Sequence, residues 1–254
     1  MLCGGLGLRL REETDLRPKP MIAIGNYPIL WHIMRKYSRH GFRRFILCLG
    51  YKSEVIKAFF SNYAAMKSDV TIDLKTDQRV VHSVDHDEDW SVTLAYTGER
   101  TMTGARVAIA AEKYLRDEEH FAVTYGDGLT NADLESELRF HGEHGGIGTV
   151  LGVNPPSRFG ELELDRDRVA RFVEKPEFSE SWINGGYFLF RRDFLRYLSK
   201  DESCVLERTP LIKLAADGEL MIHRHSGFWQ CMDTQRDRDL LNEMWESGTA
   251  AWTR

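Results

Sequence analysis

The run Phe45-Ile46-Leu47-Cys48-Leu49, closed by Gly50, carries apolar side chains at consecutive positions and so needs cover on both faces. Successive strand residues point to opposite sides, and a run with no polar side fits a parallel sheet sandwiched between layers of helices. Its neighbours agree. Before it, Ile29, Leu30, Ile33, Met34 and Tyr37 recur with helical spacing after Asn26-Tyr27-Pro28, and Gly41 ends them. After it, a helix predicted from Ser53 puts Val55, Ile56, Phe59, Phe60 and Tyr63 on its buried side. Strand, helix, strand, helix is the opening of a doubly wound α/β fold. The rhythm returns at Phe121-Ala122-Val123-Thr124-Tyr125, which ends in Gly126-Asp127-Gly128, and continues with a helix near Asn131 carrying Leu134, Leu138 and His141. A strand at 149–153 leads to Asn154-Pro155-Pro156. Short strands then alternate with loops at Leu162/Leu164, 169–173, 183–190 and 220–223, and a last helix from Thr234 buries Leu240, Leu241, Met244 and Trp245.

Polar alternation over 67–96 breaks this rhythm. Val70/Ile72/Leu74 and Trp90/Val92/Leu94/Tyr96 read as half-exposed strands of an insertion, whose edge serves either as an oligomer contact or as a solvated flap. There is no repeat and no Pro/Ser-rich linker, so the 254 residues are expected to form one domain. Within it, any boundary near residue 150 is a tightly packed one, between roughly 1–150 and 151–254 with the C-terminal helix. Lys and Arg number 34 against 39 Asp and Glu, a net charge of −5, which gives no overall field for nucleic acid or anionic membrane. Any binding of an anion must then be local. Cys3, Cys48, Cys204 and Cys231 are scattered and read as reduced thiols of a cytoplasmic protein, and no apolar run approaches the roughly 18 residues of a membrane span.

The chemistry begins at Gly4-Gly5-Leu6-Gly7-Leu8-Arg9. Glycines let backbone N–H groups approach an anion with no Cβ in the way, and Arg9 and Lys19 add the charge that a polyphosphate needs. The loop alone is equally a tight strand-to-helix turn; the Pro18-Lys19-Pro20 that follows favours function, because prolines on both sides restrict where the ammonium points. Only Met1 and Leu2 precede Cys3-Gly4, so the strand feeding the loop is expected to be a stub and the central ladder to lose a member.

Asp127 stands at the carboxyl end of a buried strand, where open α/β sheets bind ligands, and its flanking glycines leave room around the carboxylate. Asp233 precedes the last helix and, taken alone, is better explained by capping than by ligand binding. Together, two carboxylates facing a polyphosphate make the sparse oxygen site that Mg²⁺ accepts while keeping waters. Glu174 and Lys175 put an acid and a base at a strand end, suited to sugar hydroxyls and a phosphate or simply to two solvated charges. Trp182-Ile183-Asn184-Gly185-Gly186-Tyr187 combines an amide, glycines and rings, suited to a carbohydrate's edge and face or to a Gly-Gly bulge beside core aromatics. The histidines show no ligand triad.

Taken in order, Gly-Gly-Leu-Gly-x-Arg-Leu, Arg-Pro-Lys-Pro-Met, Pro-Ile-Leu-Trp-His-Ile-Met, Thr-Tyr-Gly-Asp-Gly, Arg-Phe-Gly, Glu-Lys-Pro, Trp-Ile-Asn-Gly-Gly and Gly-Phe-Trp-Gln-Cys-Met-Asp-Thr resemble the glucose-1-phosphate cytidylyltransferases, a branch of the sugar-phosphate nucleotidyltransferases. The resemblance covers essentially the whole chain. It implies a Rossmann-like, mixed but mainly parallel sheet flanked by helices, with a packed smaller sugar-binding portion, in a homo-oligomer. It further implies that Gly4, Gly5, Gly7, Arg9, Lys19 and Asp127 bind CTP, that Arg9, Lys19 and Lys175 are catalytic, and that Asp127 and Asp233 hold Mg²⁺. Glu174, Lys175, Asn184 and Gly185 would bind glucose 1-phosphate. The implied reaction gives CDP-glucose and pyrophosphate, with UTP or dTTP as alternative nucleotides and a weakly catalytic nucleotide-sugar binding protein as the alternative class. Leu8 stands where the family has a hydroxyl residue, and Val107-Ala108-Ile109-Ala110-Ala111 is uncharged where the family has basic residues.

Overall fold

The computed structural model describes residues 1–5, 7, 10–82, 88–155, 161–174 and 181–253. Arg9, Lys175 and Leu8 lie outside the described residues. In chain order the principal elements are α1 (Ile29–Arg39), β1 (Arg44–Leu49), α2 (Ser53–Ser61), β2 (Asp69–Asp73), β3 (Gln78–His82), β4 (Ser91–Tyr96), α3 (Thr103–Tyr114), β5 (His120–Thr124), β6 (Gly128–Thr130) and α4 (Leu134–Glu143). There follow β7 (Gly148–Val153), β8 (Glu161–Asp165), β9 (Arg168–Val173), β10 (Ile183–Arg191), α5 (Thr209–Ala216), β11 (Leu220–His225), β12 (Trp229–Cys231) and α6 (Gln235–Glu246).

The central sheet is mixed. β1 and β4 run parallel, β11 runs parallel to β7, and β10 lies antiparallel between β5 and β7. What joins the two halves is the start of the chain. Leu2 bridges in parallel to Cys48 of β1 and to Tyr125 just past β5, and the Met1 ammonium donates to the Ile46 carbonyl at 2.8 Å. The stub expected from the sequence therefore still spans the sheet at the end that carries the glycine loop.

Helices cover both faces. On one, Ile29, Leu30, Ile33 and Met34 of α1 are fully buried with Leu241 of α6 and Trp252; on the other, Val107 and Ala110 of α3 pack with Phe188, Phe190, Phe194 and Leu214. Phe190 stacks on Phe194 with centroids 3.8 Å apart. Each such aromatic contributes roughly 1.5–3 kcal/mol of burial. Helix ends follow from local chemistry. Asp133 caps α4 by accepting the Glu135 and Ser136 amides, and Thr234 with Asp237 forms a capping box on α6.

Three sequence expectations change, the simplest being Leu240, which the last helix leaves exposed while Leu241 is buried. Residues 91–96 do not belong to an insertion: β4 pairs with β1 along its whole length, and only the β2–β3 hairpin projects. The alternation of β4 reflects its place at the sheet edge, where one side is half-open. Helix α2 ends at Ser61, with Tyr63 opening a separate short helix, and only Ile56 of its expected inner face is fully buried. Among the described residues no helix is long and apolar enough to cross a membrane.

Candidate active site

Three elements from distant parts of the chain converge at the carboxyl end of β5. The backbone past β5 delivers Asp127; β6 and β12 then pair antiparallel, with Gly128 opposite Cys231, and the Met232 amide donates to the Asp127 carbonyl at 2.8 Å. That register sets Asp233 beside Asp127. Lys19 arrives in a 3₁₀ turn (Lys19–Met21) whose buried Pro20 packs against Gly126. The Lys19 ammonium donates to Asp127 Oδ2 and to Asp233 Oδ1, each at 2.6 Å.

Burial by itself would lower the Lys19 pKa, but the two carboxylates outweigh it and hold the ammonium above its ordinary value. Asp233 is thus no helix cap; Thr234 performs that role, and the aspartate is left to the lysine. Cys231, whose thiol burial and then Asp233 push up to about 12, donates to the second Asp233 oxygen at 3.5 Å.

This cluster sits where two cavities meet. The larger, about 780 Å³, is lined by Gly4, Gly5 and Gly7, by Lys19, and by 99–103 with Arg106. The smaller, about 190 Å³, is lined by Asn184, Gly185, Gly186, Trp229 and Cys231. Asp127, Asp233 and Tyr125 belong to both. A polyphosphate and a phosphorylated second ligand held in these cavities would meet at the lysine. Glu174 lines neither cavity; it is exposed at the end of the β8–β9 hairpin. A separate apolar cleft of about 280 Å³ between β1, β5 and α3 lies away from the charged cluster.

Two carboxylate oxygens that share one lysine nitrogen at 2.6 Å are also spaced to share a small hard cation. Among the described residues no group of three or more His, Cys, Asp or Glu is arranged to hold a metal ion by itself. Such a donor set fits a metal that keeps waters and takes phosphate oxygens.

Arg106 is the residue that sequence reasoning left without a role. Its guanidinium, 3 % exposed, donates to the carbonyls of Gly4, Leu49, Gly98 and Glu99 and to the Thr97 hydroxyl. It thereby ties the glycine loop to the end of β1 and to the wall at 97–99. Gly4 has to be glycine here, since a Cβ would lie 2.3 Å from the guanidinium. The available signal was one arginine in the otherwise small and apolar run Gly104, Ala105, Val107, Ala110 and Ala111.

The family described as nucleotidyl transferase matches residues 1–230. The chain belongs to this family. A glucose-1-phosphate cytidylyltransferase of Salmonella typhi is 46 % identical over 252 residues, covering 99 % of this chain and 97 % of the relative; one of Salmonella typhimurium matches equally well. Among solved structures, HddC from Yersinia pseudotuberculosis aligns with a TM-score of 0.66 over 96 % of this chain and 97 % of its own, at 22 % identity. That likeness speaks for the fold alone: a mixed sheet between helices.

Proposed function

We propose that the chain transfers a cytidylyl group from CTP to α-D-glucose 1-phosphate, giving CDP-glucose and pyrophosphate. The observation that carries the reading is the position of Lys19, Asp127 and Asp233 at the meeting point of two cavities, in a chain 46 % identical along nearly its whole length to enzymes of that name. In this reading roughly 1–150 supplies the nucleotide side, with Gly4, Gly5, Gly7, Arg9 and Lys19. The part over 151–254 supplies the sugar-phosphate side, with Lys175, Asn184 and Gly185, and contributes Asp233.

A phosphate oxygen of glucose 1-phosphate attacks the α-phosphorus of CTP; the P–O bond to the β-phosphate breaks and its electron pair leaves with pyrophosphate. The attacking oxygen is already anionic at neutral pH, so no protein base is needed. Alignment and charge neutralisation carry the step. Asp127 and Asp233 would hold Mg²⁺, which when bound neutralises phosphate charge. Lys19 holds the same two oxygens, and its ammonium would serve the phosphates as a second positive charge beside them.

Pyrophosphate release with CTP, glucose 1-phosphate and Mg²⁺ tests the reading, with EDTA as control and UTP and dTTP as competitors. Metal-dependent release with the highest kcat/KM for CTP is expected. A folded protein that releases none, or that prefers another nucleotide tenfold, overturns it. We further place the enzyme in the cytoplasm, in keeping with four free cysteines, and as a homo-oligomer. The projecting hairpin leaves Ile72, Leu74 and Val80 exposed, a surface suited to a second copy. Sedimentation of a Leu74→Lys variant should show a smaller species than the parent.

A further inference from the structure

Behind the two cavities, touching a residue of each and lining neither, stands Glu207. One of its oxygens accepts from the Tyr125 hydroxyl at 2.5 Å, and the other accepts from the Thr103 hydroxyl at 2.7 Å. Thr103 lines the larger cavity, and Tyr125 lines both. The Tyr125 oxygen in turn accepts from the Asn184 amide at 3.3 Å, while Asn184 Oδ1 accepts from the Gly186 backbone N–H at 2.8 Å. One carboxylate therefore closes a chain that runs from the Gly186 amide, through Asn184 and Tyr125, to the first residue of α3.

A helix-capping role would be the plainer explanation for an acid near the start of α3, but backbone groups already perform it. The Met102 amide donates to the Glu202 carbonyl, and the Gly104 and Ala105 amides donate to that of Cys204. The same stretch is anchored by Leu206, which is fully buried and whose amide donates to Thr103 Oγ1. What the side chain of Glu207 adds is polarity. A carboxylate only accepts, so both hydroxyls must point their protons at it. The Tyr125 lone pairs are then left facing Asn184, and the only orientation of the amide that satisfies both neighbours puts Nδ2 toward Tyr125 and Oδ1 toward Gly186. The second N–H of that amide remains for a ligand in the smaller cavity.

We propose that Glu207 is a positioning residue that sets the hydrogen-bond direction of both substrate cavities, acting on the sugar phosphate through Tyr125 and Asn184 and on the nucleotide through Thr103. The inference rests on the cytidylyl-transfer reading for its kinetic consequences, and on geometry alone for its structural one. Glu207→Gln keeps the shape but presents an N–H₂ to one of the hydroxyls, which must turn its proton away. If Tyr125 turns, its O–H competes for the carbonyl that now serves Gly186.

The test uses the full chain. With CTP, glucose 1-phosphate and Mg²⁺, Glu207→Gln should raise both KM values about 3- to 10-fold, the size of one misdirected hydrogen bond each, with kcat changed less than twofold and Tm little changed. Tyr125→Phe should raise KM for glucose 1-phosphate alone and Thr103→Val that for CTP alone. Adding Glu207→Gln to either should bring no further increase for that substrate. In the ligand-free protein, hydrogen exchange at the Gly186 amide should speed up at least tenfold in Glu207→Gln while Tyr187 and Phe188 keep their protection. Unchanged Gly186 exchange overturns the proposal whatever the enzyme turns over, as do KM values within twofold of the parent. Absence of turnover in the parent, with the exchange effect present, overturns the assigned reaction and leaves Glu207 in its role.

Discussion

Lys19 holds two aspartates with one ammonium, and any cation that takes those carboxylates has to displace it. Replacing Lys19 by Met should therefore act in opposite directions on two measurements. Turnover should fall by about a hundredfold, near 3 kcal/mol, for loss of one charge-stabilising group; affinity of the ligand-free protein for Mg²⁺ or Mn²⁺, read by calorimetry, should rise because the competing ammonium is gone. Weaker metal binding in Lys19→Met would mean that the aspartates are not the metal site. Asp127 and Lys19 were legible in the sequence because each stands on sharp local punctuation, Gly-Asp-Gly and Pro-Lys-Pro, that restricts the backbone beside it. Arg106 was not, since its partners are main-chain carbonyls, which leave no trace in residue type. Arg106→Leu should strand those carbonyls in a buried setting and cost at least about 3 kcal/mol, visible as a lower denaturation midpoint together with a raised KM for CTP.

Strands with two buried faces announce themselves, which is why β1 and β5 could be read from apolar runs. Strands with one half-open face do not: β4 looks like part of a projecting flap until its pairing with β1 is known. The convergence of Asp127 with Asp233 was expected from the family resemblance and not from any local pattern, for a related reason. It depends on the register of β6 against β12, and each strand spans only three residues. The start of β10 shows how an element shapes the site. Its pairing with β7 shifts between Asn184 and Phe188, and Gly186 takes a φ of +79° there. A Cβ at Gly186 would also lie 2.5 Å from the Tyr125 ring. Gly186→Ala should cost about 1–3 kcal/mol from the left-handed backbone and, by pushing the ring away from Asn184, raise KM for glucose 1-phosphate more than that for CTP. Equal changes in the two constants would show that the strain spreads beyond the smaller cavity.

The whole molecule carries opposed buried titrations that set where it is most stable. His32 and His141 are almost fully enclosed, and burial, joined for His141 by the neighbouring His120 and His144, lowers each to about 4. The unfolded chain binds more protons than the native one between about 4 and the ordinary value of about 6.5, so stability rises with pH across that window. Glu137 has the other sign. It is 2 % exposed in the first turn of α4, its Oε1 has no hydrogen-bond partner among the described residues, and burial lifts it to about 8. Here the native state holds the extra proton, and stability falls as pH rises from the ordinary carboxylate value through 8. Two histidines against one glutamate leave a net rise up to about pH 6.5; above it only Glu137 still titrates among these three, and stability should decline until its proton is gone. With roughly 1.4 kcal/mol per pKa unit, Glu137 alone removes on the order of 5 kcal/mol between its ordinary value and about 8, of which about 2 kcal/mol falls above pH 6.5, if the carboxylate finds no partner on ionising. Glu137→Gln removes that limb and keeps the acid one. Urea denaturation at pH 5, 6.5 and 8.5 should find the variant and the parent nearly equal at the lowest pH and the variant several kcal/mol more stable at the highest. Parallel profiles would mean that the ionised carboxylate is rescued by water or by rearrangement of the nearby Tyr37 and Tyr187 hydroxyls, and that the first turn of α4 opens more readily than its burial implies.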